Sequence, residues 1–537
     1  MLSVENAIHL LWVPHLGVGL LGAVSLIEIA AARRQRDREA LSWHHRWLQS
    51  LTVLASVISL TGCLILAPRV LEEPLSQGWL YLDPLGLWFT LIVAVVGVAA
   101  SFHAIGYHRF LGGLKWHSAK SAKVSARFYM LFNLFLASML AVQIFDNLLV
   151  ICIAVEITTV ISAFLVCHER RENRNSVEAA WKYVILGSVG IVFAFLGTLL
   201  LFHAFEATAG RSLDLSDLSH IQGRAEVKFL QLAFLFALIG YGTKAGLAPL
   251  HTWLPDAHSE APSAVSALLS GVLLKSALYA LLRFYELMHR FAPEQVAEFA
   301  SRILLGAGLL SVLVAVPFIV RRQPREQPHR FKRILAYHSL EHMGIVVFGI
   351  GLGTPAGVFA ALLHALYHAI NKALMFLVHG TLKLEGERRG LPGTPWIQLS
   401  RSHALILGLG AVALVGSPPF AIFTSKLMIL REALRGTGEQ PWLGLAILLF
   451  VLSLALIFAG LVHHAGDRLL GDDVWLRGGG VKSIKKVPGT KVTRYRVMGI
   501  PVVLLTLLIL VFGFGVPAPM AELVRAAASC VIPEAGP

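Results

Sequence analysis

Residues 241–284 read YGTKAGLAPLHTWLPDAHSEAPSAVSALLSGVLLKSALYALLRF. A long apolar segment carries Lys244 and then breaks at Gly246 and Pro249. A polar loop follows with His251, Asp256, His258 and Glu260. A second apolar segment carries Lys275 near its middle. An ammonium at the centre of a bilayer helix costs roughly 2.5–3.5 kcal/mol on insertion scales. Irregular backbone at membrane depth persists only where protein buries it or it lines a wet cavity. Two such lysines around one helix break therefore point to a hydrated, charged pathway inside a membrane protein.

Composition agrees with that reading. The chain has 537 residues, of which 56% are hydrophobic and 15% charged, with a mean hydropathy of +0.68. A soluble protein carries about 25% charged residues. Apolar runs long enough to cross hydrocarbon recur along the chain, and the alternation of a membrane β-barrel is missing. The net charge of +14 does not imply nucleic acid, because Lys and Arg collect in alternate loops, as cytoplasmic loops do. Cys63, Cys152, Cys167 and Cys530 form no CxxC, so neither a disulfide framework nor an iron–sulfur site is expected. The first apolar run lacks a basic leader and reads as an uncleaved helix.

The expected fold is all-α and polytopic, with about fourteen spans. Residues 1–120 hold helices 1–3, residues 121–290 hold helices 4–8, and residues 291–465 hold helices 9–13. Residues 466–537 hold a basic cytoplasmic loop and helix 14. The loop charges place both termini outside. Helices 4–8 and 9–13 are two five-span units, and an odd number of spans inverts one relative to the other. The fourth helix of each is broken, at Gly246/Pro249 and at Pro418/Pro419. Paired broken helices in inverted repeats mark an ion pathway near the midplane.

Within these spans the ionisable residues are few. Glu156 lies mid-helix in VEITTVISAFLV, and pairing with Lys244 would keep both charged. Lys275 has no acid beside it on helix 8 as bounded at 262–285, which suits a group that takes up and releases a proton. His364, His368 and Lys372 follow at i, i+4 and i+8, stacked on one face of helix 11. Two histidines at that spacing can hold zinc in HExxH. Here the glutamate is missing and the third member is a cation, so a proton relay fits better and no metal is expected. His338, Glu341 and His342 occupy helix 10, where a buried acid and a solvated helix end are both open readings. Lys426 follows the break in helix 12, at the place that Lys244 holds in the first repeat. His251, Asp256 and His258 suit a hydrogen-bond network or a proton inlet. Lys182 sits near the inner interface, where snorkelling competes with function.

Six phrases carry a resemblance to a known family. They are VEITTV (155–160), EAAWKYVILGSVGI (178–191), GTKAGLAPLHTWLPDAHSEAP (242–262), SALLSGVLLKSALYALLRF (266–284), KRILAYHSLEHMG (332–344) and HALYHAINKALMF (364–376). Over roughly 125–435 the chain resembles the antiporter-like membrane subunits of respiratory complex I, multisubunit Na⁺/H⁺ antiporters and group 4 membrane-bound NiFe hydrogenases. The wording is most like hydrogenase-4 component F. The resemblance implies that Glu156, Lys244, Lys275, His364, His368, Lys372 and Lys426 form a proton relay. It also implies that the chain holds no redox cofactor and works beside other membrane and soluble subunits that carry the electrons.

The leading expectation is a proton-translocating subunit of a hydrogenase-like or complex-I-like assembly in a bacterial-type inner membrane. Protons are its cargo, with Na⁺ open, and lipid surrounds it. In a medium of effective dielectric about 20, two charges 7 Å apart interact by roughly 2.4 kcal/mol, enough for Glu156 and Lys244 to drive the central lysine. The rival readings are a cation/proton antiporter, an ion-coupling subunit for inorganic-carbon uptake, and a structural anchor. The basic stretch 465–496 suits an acidic partner or anionic lipid.

Overall fold

The computed structural model describes residues 7–31, 44–111, 119–168, 173–205, 212–220, 225–321, 330–391, 394–438, 440–471 and 496–533. Most of the basic loop residues behind the orientation and docking readings, including residues 472–495, lie outside them.

The described residues are helical almost throughout. In order come α1 (His9–Ala31), α2 (His44–Glu72), a short hairpin of β1 (Leu75–Gln77) and β2 (Leu80–Leu82), α3 (Pro84–Leu111), α4 (Ala119–Ile144) and α5 (Leu148–Val166). Next are α6 (Arg174–Ala204), α7 (Val227–Ala245), α8 (Ser263–Phe291), α9 (Glu294–Val320), α10 (Arg330–Ile350) and α11 (Pro355–Arg388). Helix 12 is two pieces, α12a (Arg401–Val415) and α12b (Ala421–Gly436), followed by α13 (Leu443–Leu470), α14 (Arg496–Phe514) and α15 (Ala518–Val531).

Caps explain several boundaries. Asn147 accepts hydrogen bonds from the Leu149 and Val150 amides and starts α5 only three residues after α4 ends. Thr354 does the same for α11. Both breaks read from sequence occur where expected: α7 ends on Gly246 at φ 75° and α12a on Gly416 at φ 84°. Those left-handed caps suit glycine, which has no Cβ to clash.

Eleven helices among the described residues are long and apolar enough to cross a membrane, or twelve if α14 and α15, bent by 79°, form one span. This is fewer than the fourteen expected, and the difference is physical. The α10 helix carries Tyr337, His338, Ser339, Glu341 and His342, which dilute its hydropathy. Breaking helix 12 leaves two pieces of 15 and 16 residues. The hairpin and α15 were not foreseen.

Burial sorts the helices into an axis and a jacket. In α8 and α11 the apolar windows are wholly buried, whereas in α1, α6, α9 and α13 most of the window faces outward. Leu20, Val192, Leu448 and Leu452 are among the exposed apolar side chains of that jacket, a surface suited to lipid. Small residues bring neighbours close. A Cβ on Gly190 would stand 2.9 Å from Thr243 Cβ, so α6 and α7 touch backbone to backbone near Lys244. The α4 helix packs on α5 as α9 packs on α10, and α6 packs on α7 as α11 packs on both halves of helix 12.

Helix 8 is longer than read from sequence. It continues through Phe291 and so contains Glu286, which corrects the expectation of no acid on that helix. A π-helical turn at Leu269–Leu273 interrupts it. Such bulges free a backbone carbonyl from its usual partner.

Candidate functional site

That freed carbonyl is where the centre of the site begins. Lys275 donates to the Ser270 carbonyl at 2.8 Å and lies 2.6 Å from His368 Nδ1 on α11. The Ser270 hydroxyl reaches Ser339 of α10 at 2.7 Å. No carboxylate lies within 4.0 Å of Lys275 among the described residues.

From Lys275 the polar groups continue sideways. The His368 ring stacks on His342 with centroids 4.6 Å apart. His342 Nδ1 is 2.9 Å from His364 Nε2, and His364 Nδ1 is 2.9 Å from the Ser425 hydroxyl on α12b. Beside this line, Glu341 Oε2 takes His338 Nδ1 at 2.7 Å, and its Oε1 takes Lys426 at 3.2 Å. Lys426 also donates to the Val415 carbonyl, the last residue of α12a, at 3.2 Å. That carbonyl is an orphan created by the helix break. His338, Glu341, His342, His364 and His368 are all 0% exposed. This decides between the two readings of α10: the acid is interior, not at a solvated end. Lys372, on the same face of α11, donates to the Leu335 carbonyl.

His338, Glu341 and His342 offer three ligand atoms within 4.8 Å of one another. The Lys426 ammonium on the same carboxylate gives a metal cation a like-charged neighbour, so proton exchange suits this donor set better.

Glu156 and Lys244 form a separate group. Lys244 donates to Thr159 Oγ1, and Thr159 donates to Glu156 Oε2 at 3.1 Å. Ser188 donates to the other oxygen at 2.6 Å. The expected pair is therefore bridged by a hydroxyl rather than in direct contact. The Lys244 ammonium also sits 5.0 Å from the Tyr183 ring centroid. Gly187 leaves room for it: a Cβ there would stand 3.0 Å from Nζ. No hydrogen bond joins this group to Lys275 among the described residues.

The stretch between α7 and α8, expected as a loop, holds a short helix over Trp253–Glu260, and its residues divide by depth. Asp256 is partly exposed and takes Lys182 at 3.5 Å and Arg333 at 3.2 Å. Lys182 is half exposed and also pairs with Glu178 at 2.7 Å, which fits a snorkelling residue. Two residues on, His258 is 0% exposed and stacks on Phe376 at 5.3 Å. Among the described residues its ring nitrogens have no hydrogen-bond partner. Buried His251 lies 6.4 Å from the Phe318 ring. Lys332, unremarked in the sequence, donates to the Ala261 carbonyl at 2.6 Å.

A larger omission lies at the other end of α8. Arg283 is 1% exposed and holds Asp83 through two bonds of 2.8 and 2.6 Å. It also donates to Glu286 at 2.9 Å, and Glu286 takes Arg290 at 3.2 Å. The signal was present as an arginine in ALLRF, within the apolar run. Its partner Asp83 is two hundred positions away, and no periodicity joins them.

A multi-pass helical protein with a row of titratable side chains through its interior belongs among integral membrane proteins that handle charge. Residues 146–454 match the family described as NADH:quinone oxidoreductase/Mrp antiporter, transmembrane. Over 433 residues the chain is 32% identical to the hydrogenase-4 component F homolog of Methylacidiphilum infernorum, covering 78% of this chain and 82% of that protein. It is 29% identical over 416 residues to NADH-quinone oxidoreductase subunit N of Desulforudis audaxviator, covering 74% and 76%. The fold matches a chain of the Mrp complex from Dietzia sp. DQ12-45-1b with a TM-score of 0.74 at 18% identity, covering 99% and 98%. The chain belongs to the NADH:quinone oxidoreductase/Mrp antiporter membrane-subunit family.

Proposed function

We propose that this chain is a proton-translocating membrane subunit of an energy-converting complex, and that the interior row is its relay. One observation carries this reading. Lys275, His368, His342, His364 and Ser425 follow one another at contact distance, with Glu341 and Lys426 at the far end. A proton wire needs groups that both accept and donate, and neutral imidazole does both. Isolated buried lysines would give no such continuity.

In this reading a proton arrives from the face that carries Asp256. It passes His258, loads the Lys275 centre and moves through the three imidazoles toward Lys426. Glu156, Thr159 and Lys244 act on Lys275 by charge, since no hydrogen bond links them to it. The helix-12 break supplies the Val415 carbonyl that steadies Lys426. The matching breaks at Gly246 and Gly416 and the recurring helix pairings support two inverted units. Electron transfer falls to partner subunits, as the names of the similar proteins suggest. The Asp256 face is assigned to the cytoplasm of an inner membrane.

The test is Lys275→Ala in the assembled native complex, with its subunits checked by co-purification. Electron transfer is driven with the natural donor, and proton uptake is followed by a pH dye in sealed vesicles. Loss of proton movement in an intact complex is expected. Undiminished, Na⁺-independent proton movement would refute the relay.

A further inference from the structure

The helix that carries Lys275 also carries a polar stripe the relay does not use. Tyr279, Arg283, Glu286 and Arg290 follow Lys275 at steps of four, four, three and four residues. Such steps keep one face of a helix. The stripe runs to the face bearing the β1–β2 hairpin, and Arg283 is about 12 Å from Lys275 along the helix axis. This is the direct way out of the membrane from the central lysine, yet the row of histidines leads sideways.

The hydrogen-bond polarity of the stripe explains why. Arg283 donates to the Tyr279 hydroxyl at 3.0 Å, and Tyr279 spends its own proton on the Gln143 carbonyl at 3.2 Å. Arginine is donor-only and does not give up its proton in proteins. A proton reaching Tyr279 therefore finds no acceptor ahead, although two carboxylates, Asp83 and Glu286, lie just behind the guanidinium. Further polar atoms belong to the residues of this barrier. The Gln143 amide is 0% exposed, and among the described residues neither its nitrogen nor its oxygen has a hydrogen-bond partner; Arg283 Nε has none among them either. Buried polar atoms of this kind ordinarily bind water.

We propose that Arg283, clamped by Asp83 and Glu286, is a proton-blocking plug between Lys275 and the hairpin face, so that a loaded proton leaves only along the histidine row. The proposal rests on the relay reading for its starting point at Lys275. Donor-only arginines exclude protons from water-filled pores by the same chemistry. The ion cluster also gives a reason for burying three charges, Asp83, Arg283 and Glu286, that bring little net stability.

The full-length chain is reconstituted in liposomes, and passive proton entry under an imposed pH gradient is read with an internal dye. Arg283→Gln is expected to raise that leak by roughly tenfold or more, the factor given by removing a barrier of about 1.4 kcal/mol. Asp83→Asn/Arg283→Gln removes Arg283 together with one of its two carboxylates, leaves Glu286 paired with Arg290 at 3.2 Å, and is expected to leak as well. Arg283→Lys keeps a cation which, unlike Lys275, faces two carboxylates that hold its proton, and is expected to stay tight. Adding Lys275→Ala to the leaky variant is expected to return the leak to the wild-type level. A folded Arg283→Gln or double variant as tight as the wild type would overturn the plug. So would an Arg283→Lys variant that leaks equally, or a leak indifferent to Lys275→Ala. Failure of the relay itself would appear separately, as driven proton movement that survives Lys275→Ala.

Discussion

Replacing Glu341 with Gln tests the far end of the row most directly. The carboxylate sits 3.2 Å from the Lys426 ammonium, and both groups are buried. At an effective dielectric of about 20, that separation is worth about 5 kcal/mol, since 332/(20 × 3.2) is close to five. Breaking a buried pair on one side costs about 3–5 kcal/mol in practice, because the other charge is left uncompensated. Gln keeps the shape and one acceptor oxygen, so His338 retains a partner and the loss falls mainly on the charge. If Lys426 must carry its charge for protons to leave the row, even about 3 kcal/mol slows driven transport by roughly a hundredfold.

The assay is proton uptake into sealed vesicles per electron delivered, paired with thermal unfolding of the purified complex. Glu341→Gln is expected to lose both transport and stability. Glu341→Gln/Lys426→Met removes both charges, so stability is expected to recover while transport stays lost. That split separates a relay from a structural brace. Transport within about threefold of wild type in either variant, with the complex intact, would refute the assignment of this pair as the end of the row.

Further outcomes follow from the same geometry. His368→Phe keeps a ring against His342 but removes the nitrogen 2.6 Å from Lys275; transport should fall by at least about tenfold with the complex still assembled, as read by the same dye. Thr159→Val removes the hydroxyl that joins Lys244 to Glu156. Proton movement should then lose its dependence on driven electron transfer, measured as a lower proton-to-electron ratio. Gly187→Val pushes a side chain against Lys244 Nζ and Thr159; its effect should match Thr159→Val in that ratio and add a lower unfolding temperature. Gly513→Leu drives α14 off the Pro419 carbonyl it touches, which should lower the unfolding temperature by several degrees without changing the proton-to-electron ratio of surviving complexes.

Local signals carried the sequence reading a long way. Hydropathy marked the spans, Gly246 and Gly416 marked the breaks, and costly residues such as Lys275 and His368 stood out against apolar neighbours. These are properties of a residue and its immediate window. What escaped depends on pairing across distance. Thr159 between Glu156 and Lys244 looks like any helix threonine until α7 is packed beside α5. Arg283 needed Asp83 from the start of α3. The interior place of Glu341 was open in the sequence, because the residue lies near the inner end of helix 10, where a solvated end reads as well as a buried acid. The polarity of that helix is hidden only once α9, α11 and α12b close around it. The span count fell short for the same reason, since hydropathy assumes lipid around a helix that protein in fact surrounds.

The two directions out of Lys275 differ in the chemistry of their next group. Sideways stands His368, an imidazole that can accept at one nitrogen and donate at the other, with Nδ1 toward Lys275 and its ring stacked on His342, followed by two more imidazoles and a hydroxyl. Along α8 stands Tyr279, whose oxygen is filled by a guanidinium and whose proton is committed to a backbone carbonyl. Both directions are polar and buried, so neither burial nor charge alone selects between them. What selects is whether each group offers a free acceptor toward the last and a free proton toward the next. Glu341 then sets the sense of the sideways route. Among the described residues it is the one carboxylate in contact with the row, beside His342, and it is bonded to the lysine that follows the helix-12 break. A proton on Lys275 therefore feels attraction along the histidines and an immovable cation along its own helix.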